Sequence, residues 1–305
     1  MRKAGLLVLS KAIGKNHFLE PNFYLFNVSR EELTDVRSVL FELNNPEFIH
    51  LGDHLFFLPI IKSFVDAGYH VKVSVSKTMF DFFNRLQLPV VSEGEPYGAY
   101  DLVISRFELM PELAKYKSLL VHVSQNLKMP ICSQLLHSFS QYFERRFSSQ
   151  AEFDPFNNST ILKQLKLPEN KRLVLFNVYC DSSAYLVGRR QRAQLIKTVE
   201  RYASDSNYQV VFVGALKDKL ADRGQYRFSH IDLRGKTNVV DIFELVRHPN
   251  VELYIGFDAF VMHLFSLSGK NSLVKFRGRI TKKQSTMLSK YHVNLFSDHQ
   301  FVTLI

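Results

Sequence analysis

The sequence predicts an α/β protein of two doubly wound domains facing each other across a cleft. Three observations carry that prediction. Short apolar runs recur along the chain, at 37–42, 70–75, 101–105, 172–178 and 208–213. They are apolar at consecutive positions rather than alternating, as strands covered on both faces are. Between them lie segments of helical period, such as Leu55, Leu58, Ile61, Phe64 and Val65, and strands alternating with helices make a parallel sheet. Third, the alternation stops in a polar stretch at 148–172 with Pro155, Asn157 and Asn158, then restarts. The 305 residues therefore divide into an N-terminal domain, 1–155, and a C-terminal domain, 156–305, each of ordinary size.

In the first domain, residues 1–35 are the hardest to read, and 18–26 suits either a loop or an edge hairpin. A strand at 37–42 is followed by the turn Asn44, Asn45, Pro46 and by Gly52 and Asp53. The helical pattern then runs from about His54 to Ala67, with Pro59 in its first turns, where proline is tolerated, and Gly68 as a C-cap signal. A strand at 70–75, a helix at 77–86, strands at 89–91, 101–105 and 118–123, and a helix at 131–147 complete the domain. The polar linker carries a short helix at 161–165. The second domain repeats the scheme. It has a strand at 172–178, a helix at 191–202, and a strand at 208–213 ending at Gly214. A loop with Lys217 and Asp218 leads to a strand at 230–232. After a turn at Gly235 comes an amphipathic helix with Val239, Ile242, Leu245 and Val246 on one face. A strand at 251–255 breaks at Gly256, and a helix starts near Asp258. A strand at 272–276 and a basic amphipathic helix at 281–290 close the chain.

Composition narrows the function. Hydrophobic residues make up 46%, with 27 Phe and no Trp, so the cores are rich in Phe. No apolar run approaches the ~20 residues of a membrane span. The start, Met1 to Leu9, has no small-residue cleavage site after it, which points to a cytoplasmic protein without a signal peptide. Cys132 and Cys180 are too few and too far apart for a disulfide framework or a zinc site. The net charge of +10 favours acidic partners such as nucleotides, phosphorylated glycolipids or an anionic membrane face. The cations are dispersed, with local density at Arg189, Arg190 and Arg192 and from Lys275 to Lys283, and form no basic tail; nucleic acid is not the expected partner. The dinucleotide fingerprint and the phosphate-loop motif are absent. So is the Asp-x-Asp pattern that holds a divalent ion beside a nucleotide sugar. No metal and no other cofactor is expected.

Ligands of doubly wound sheets bind beyond the carboxyl ends of the strands. Two such halves with a cleft between them suit transfer from a nucleotide donor held by one half to an acceptor held by the other. Asp53, at a strand-to-helix turn, is the candidate base for an acceptor hydroxyl; its plain alternative is N-cap of a helix starting at His54. In the second half, strand, Gly256, Asp258 and a helix N-terminus make a place where backbone N–H groups point at an anion. Arg189, Arg190, Gly214, Lys236, Asp258, Ala259, Phe260 and His263 are the donor-side candidates. The plain alternatives are solvated charges for the cations, an N-cap for Asp258 and a packed helix histidine for His263.

These motifs, taken in order, resemble a family. Gly52 and Asp53 followed by Pro59, the strand at 101–105, the run Leu233 to Asp241, and Tyr254 to Asp258 with His263 and then Gly269 and Lys270 resemble the lipopolysaccharide heptosyltransferases, glycosyltransferase family nine. The resemblance runs from about residue 37 to about 280. It implies a GT-B fold and a metal-independent, inverting sugar transfer. The implied donor is ADP-heptose, and the acceptor is a lipopolysaccharide core or related lipid-linked surface glycan at the cytoplasmic membrane face; the basic helix near Lys282 and the Phe content point to peripheral attachment at the inner leaflet. It makes Asp53 the general base, places Asp258 and His263 at the donor, and matches the phosphate-binding cation best to Arg189 or Arg190. The chain departs from the family in two places. Ala259, Phe260 and Val261 stand where the family has Ser/Thr-Gly-Pro, and the N-terminus is longer than usual. The first departure keeps two other readings open: a transferase for another sugar on ADP, UDP or GDP, and a degenerate homologue that binds a glycan without catalysis.

Overall fold

The computed structural model describes residues 22–44, 51–91, 95–106, 110–122, 131–147, 167–179, 189–222, 226–257, 259–275 and 302–305. Two six-stranded sheets organise them. The first contains β1 (Asn22–Phe26), β2 (Ser38–Glu42), β3 (His70–Ser74), β4 (Val90–Val91), β5 (Leu102–Arg106) and β6 (Ser118–His122). Its helices are α1 (Leu51–Asp66), α2 (Lys77–Arg85), α3 (Met110–Leu113) and α4 (Ile131–Tyr142). The second contains β7 (Arg172–Asn177), β8 (Tyr208–Phe212), β9 (His230–Asp232), β10 (Val251–Phe257), β11 (Asn271–Lys275) and β12 (Val302–Leu304). Its helices are α5 (Arg189–Ala203), α6 (Leu216–Ala221), α7 (Val239–Arg247) and α8 (Phe260–Leu267).

The strand orders are β1-β6-β5-β2-β3-β4 and β12-β11-β10-β7-β8-β9. Pairing is parallel except at β1, which runs antiparallel along β6 from Asn22 opposite His122 to Phe26 opposite Ser118. Within the segment 18–26, residues 22–26 thus supply an edge strand. Each order reverses direction once, between β2 and β5 in the first sheet and between β7 and β10 in the second. Such reversals open a crevice at the carboxyl ends of the strands, so two switch points mark where a ligand site would form.

Helix α1 is apolar nearly all round. His54 through Ile61, Ser63 and Phe64 are all buried, because the helix lies between the first sheet, α4 and α8 of the other domain. It starts at Leu51, earlier than the pattern predicts. Pro59 is therefore in the middle of the helix, not in its first turns, and removes the N–H that would bond the Leu55 carbonyl. Phe64 is the hub of the Phe-rich core. Its ring lies 5.4 Å from Phe41, 5.0 Å from Phe143 and 4.7 Å from Phe147.

The core continues from the first domain into the second. Phe82 of α2 meets Phe243 of α7 edge-on at 5.2 Å. Beside them Arg85 Nε lies 2.8 Å from Glu244 Oε1, and the Glu244 side chain is 1% exposed. On the far face of the second sheet, Leu195 and Val199 of α5 pack on Val174, Phe176 and Val210.

Several expectations need correction. The strand β10 does not break at Gly256; Gly256 pairs with Val274 on one side and Asn177 on the other. Its missing side chain makes room for the Tyr254 hydroxyl, which would lie 2.2 Å from a Cβ there and donates to the Phe257 carbonyl at 3.0 Å. The expected loop at Lys217 and Asp218 is the short helix α6. Helix α4 ends at Tyr142, before Phe147, where Glu144 takes a left-handed φ of 48°. The strand β12, parallel to β11, has no counterpart among the strands the sequence predicts. The boundary at 155/156 and the expected helices at 161–165 and 281–290 lie outside the described residues.

Candidate active site at the two switch points

Asp53 is the third residue of α1, inside its first turn. It does not precede the helix, so the N-cap alternative fails. A carboxylate there complements the helix dipole. Its Oδ2 lies 2.6 Å from Arg106 Nη1, with the Arg106 and Asp53 side chains 17% and 22% exposed. Arg106 ends β5 and Asp53 follows β2, so the pair closes the first switch point. That geometry makes Arg106 a site residue that sequence reasoning misses, because 53 positions separate the partners and no local spacing links them.

Gly52 explains the other half of the motif. A Cβ there would stand 3.0 Å from His263 Cδ2 and 3.4 Å from Nε2, closer than ordinary carbon contacts. His263 belongs to α8 of the second domain, and its ring also meets Phe56 edge-on at 5.8 Å. The motif that carries Asp53 and the helix that carries His263, read as opposite walls of a cleft, thus meet, with the His263 ring against the Gly52 backbone.

At the second switch point β10 leads into α8. The N-cap of α8 is Ala259, with no side-chain cap bond, so Asp258 is not the N-cap; Asp258 itself lies outside the described residues. Phe260 meets Phe82 of the first domain at 6.3 Å, which puts its bulk at the domain junction. Arg189 and Arg190 open α5; Arg190 is exposed, and the side chain of Arg189 is outside the described part of the structure. Lys275 ends β11. Its ammonium is held below the usual lysine range by burial and then by the charge of Arg190, and it donates to the Ile305 carbonyl at 2.6 Å. In the sequence Lys275 is visible only as a cation near the end of an expected strand.

The remaining donor-side candidates lie at the ends of β8 and β9. Gly214 has φ 144°, and a Cβ there would stand 2.8 Å from Asp218 Oδ2, the atom that accepts from the Ala215 N–H at 2.8 Å. Gly214 therefore serves the entry into α6. Lys236 is exposed on the turn after β9. Arg234, two residues earlier, is buried, with Nη1 2.6 Å from Asp222 Oδ2 and Nε 3.0 Å from Asp232 Oδ1. Burial alone would raise Asp232, but Arg234 and Lys219 hold it at about 2. That network ties down the β9 end. Lys270 is at the amino end of β11, away from the switch point. Its Nζ donates to the His248 and Val251 carbonyls at 2.7 Å each, and burial pushes it down to about 8.

A second carboxyl also escapes the sequence. Glu42 ends β2 and is buried. Burial raises it, against hydrogen bonds from Asn44 N, Ser74 Oγ and Tyr97. The Asn44 and Ser74 bonds are 2.8 Å and 3.0 Å. A single Glu closing an apolar run is its only sequence signal.

Two doubly wound domains whose carboxyl edges meet across a junction define the GT-B class of fold. Within it, the chain is similar to solved heptosyltransferases. One is the E. coli ADP-heptose LPS heptosyltransferase II, with TM-score 0.56 and 13% identity over 88% of this chain and 90% of that one. Another is a glycosyl transferase family 9 protein from Veillonella parvula, with TM-score 0.62 and 13% identity over 88% and 87%. A third is E. coli heptosyltransferase WaaC with ADP, with TM-score 0.56 and 13% identity over 88% and 93%. At such identity the likeness is one of fold. No protein-family model matches the sequence, and no curated protein matches it. Among the described residues no helix is long and apolar enough to cross a membrane.

Proposed function

We propose that this chain is a glycosyltransferase that moves heptose from ADP-heptose onto a lipopolysaccharide core or related lipid-linked glycan, with inversion and without a metal. The observation that carries the reading is the pairing of Asp53 with Arg106 at a switch point, one residue along the chain from the contact of Gly52 with His263 of the other domain. Asp53 takes the proton from an acceptor hydroxyl as its oxygen bonds to the anomeric carbon. The bond from that carbon to the diphosphate oxygen breaks, and the electron pair leaves with the nucleoside diphosphate. Attack from the face opposite the leaving group inverts the centre. The first-turn N–H groups of α8, with Arg190 and Lys275, receive the developing negative charge. Arg189, Lys236 and Asp258 complete the donor wall in this reading, Gly214 shapes it, and Ala259, Phe260 and His263 border the sugar. The first domain then holds the acceptor and the second the donor. The net charge of +10 suits an anionic inner-membrane face.

The test is ADP release and product formation by the purified protein with ADP-heptose and a lipopolysaccharide core acceptor. Asp53→Ala should lower turnover by about 10²–10⁴-fold in protein that still unfolds cooperatively; near-normal turnover in that variant removes the base. A second reading keeps the fold and changes the donor sugar or base, on the strength of Ala259, Phe260 and Val261. Thermal shifts with ADP, UDP and GDP separate the two, since a preference for UDP or GDP favours the second. Absence of transfer with every donor favours the non-catalytic reading.

A further inference from the structure

We infer that Arg106 is a positioning residue: it fixes the carboxylate plane of Asp53 so that one oxygen faces the acceptor hydroxyl. The inference rests on the reading of Asp53 as base. An aspartate has a broad, roughly two-fold χ2 torsion. In the first turn of a helix it is also drawn back toward that helix's own N–H groups. A base that turns away from the cleft for most of the time is a poor base, because productive geometry is the larger part of its work. The contact between Arg106 Nη1 and Asp53 Oδ2, 2.6 Å, is a charge-assisted bond of the short, strong kind.

The guanidinium is well placed to act as a fixed reference. Arg106 is the last residue of β5, paired in register with Val121 of β6. The neighbouring Ser105 is buried, and its hydroxyl donates to the Glu42 carbonyl. The backbone that carries Arg106 is therefore held on both sides by the sheet. A guanidinium also keeps its charge at any working pH, so the clamp does not switch off. The guanidinium N–H lies in a rigid plane, so its contact with Oδ2 sets direction as well as attraction, which a freely rotating ammonium does not.

A purely structural pin between α1 and β5 predicts something different, and kinetics tell the two apart. The experiment compares wild type, Arg106→Ala, Arg106→Lys, Asp53→Ala and the double variant, using ADP-heptose with a lipopolysaccharide core acceptor and reading ADP release and melting temperature. For Arg106→Ala, kcat should fall about 10²-fold, the scale of a misplaced catalytic group, while KM for ADP-heptose stays within about twofold. Arg106→Lys, which keeps the charge but not the rigid plane and is the gentler change for folding, should retain an intermediate kcat. In the Asp53→Ala background, adding Arg106→Ala should cost less than about twofold, because groups that act as a unit are not additive. An equal cost in both backgrounds overturns the inference and leaves the base intact, since Arg106 would then act on its own. A loss confined to KM, or full activity in both Arg106 variants, overturns it too. Near-normal turnover in Asp53→Ala alone marks the separate failure of the base.

Discussion

Charge is arranged in opposite ways at the two switch points. Between β2 and β5 a carboxylate and a guanidinium form a matched pair at 2.6 Å, partly shielded from water. Beside the second, Arg190 at the start of α5 and Lys275 at the end of β11 are both cations; burial, and then the charge of Arg190, hold the Lys275 ammonium below the usual lysine range. A matched pair fixes direction and carries no net charge. A like pair costs energy until an anion arrives and offers that anion a concentrated field. The difference teaches how one fold, used twice, makes two kinds of wall. In the proposed reaction one wall moves the proton and the other holds the phosphate.

The comparison can be broken at its hinge first. Arg85 and Glu244 hold the walls in register, and Arg85→Ala leaves the buried Glu244 carboxylate without that guanidinium. We expect a loss of about 3 kcal/mol in urea unfolding, the low end for a buried pair broken on one side, because Arg85 touches water. A loss below about 1 kcal/mol, the scale of an exposed pair, would mean that the walls are registered elsewhere, by Phe82 and Phe243. The next effect tests the cationic wall. Arg190→Ala and Lys275→Ala should each weaken ADP binding about tenfold by calorimetry, near 1.4 kcal/mol, while Asp53→Ala leaves it within about twofold. An equal loss from Asp53→Ala would erase the distinction between walls.

The smallest effect separates the two carboxyls of the first wall. Glu42 is held by neutral donors, and burial raises it. The folded protein thus binds that proton more tightly than the unfolded chain. The stability this gives is present at low pH and is lost as pH rises through the folded value. In Glu42→Gln that loss disappears, so unfolding free energy should fall less than in wild type as pH rises above the ordinary glutamate range. Parallel pH curves for the two proteins would show that Glu42 does not titrate with folding in this range.

What is legible in the sequence is local. Apolar runs and helical periods give both sheets, and Gly52 with Asp53 stands out because adjacent residues at a strand-to-helix turn form a short-range signal. His263 is visible from its place five residues beyond Asp258. Arg106, Glu42 and Lys275 are not, since their meaning depends on partners that only the folded sheet brings near. Two punctuation residues mislead for one reason. Gly256 reads as a break, yet the ladder runs through it, because the glycine is needed for the Tyr254 hydroxyl and not for a turn. Pro59 reads as an early helix position, yet tertiary burial carries α1 back to Leu51. In both cases packing from distant segments overrides the local preference.

The His263 ring beside Gly52 also has a mechanical consequence. A ring seated where a side chain is missing behaves as a detent. Moving α8 away from α1 lifts the ring out of its seat, and packed surfaces tolerate discrete rearrangement better than continuous stretch. Separation of the domains at this point uncovers the Gly52 backbone. Gly52 adjoins Asp53, so a contact that joins the two domains lies within one peptide unit of the proposed base.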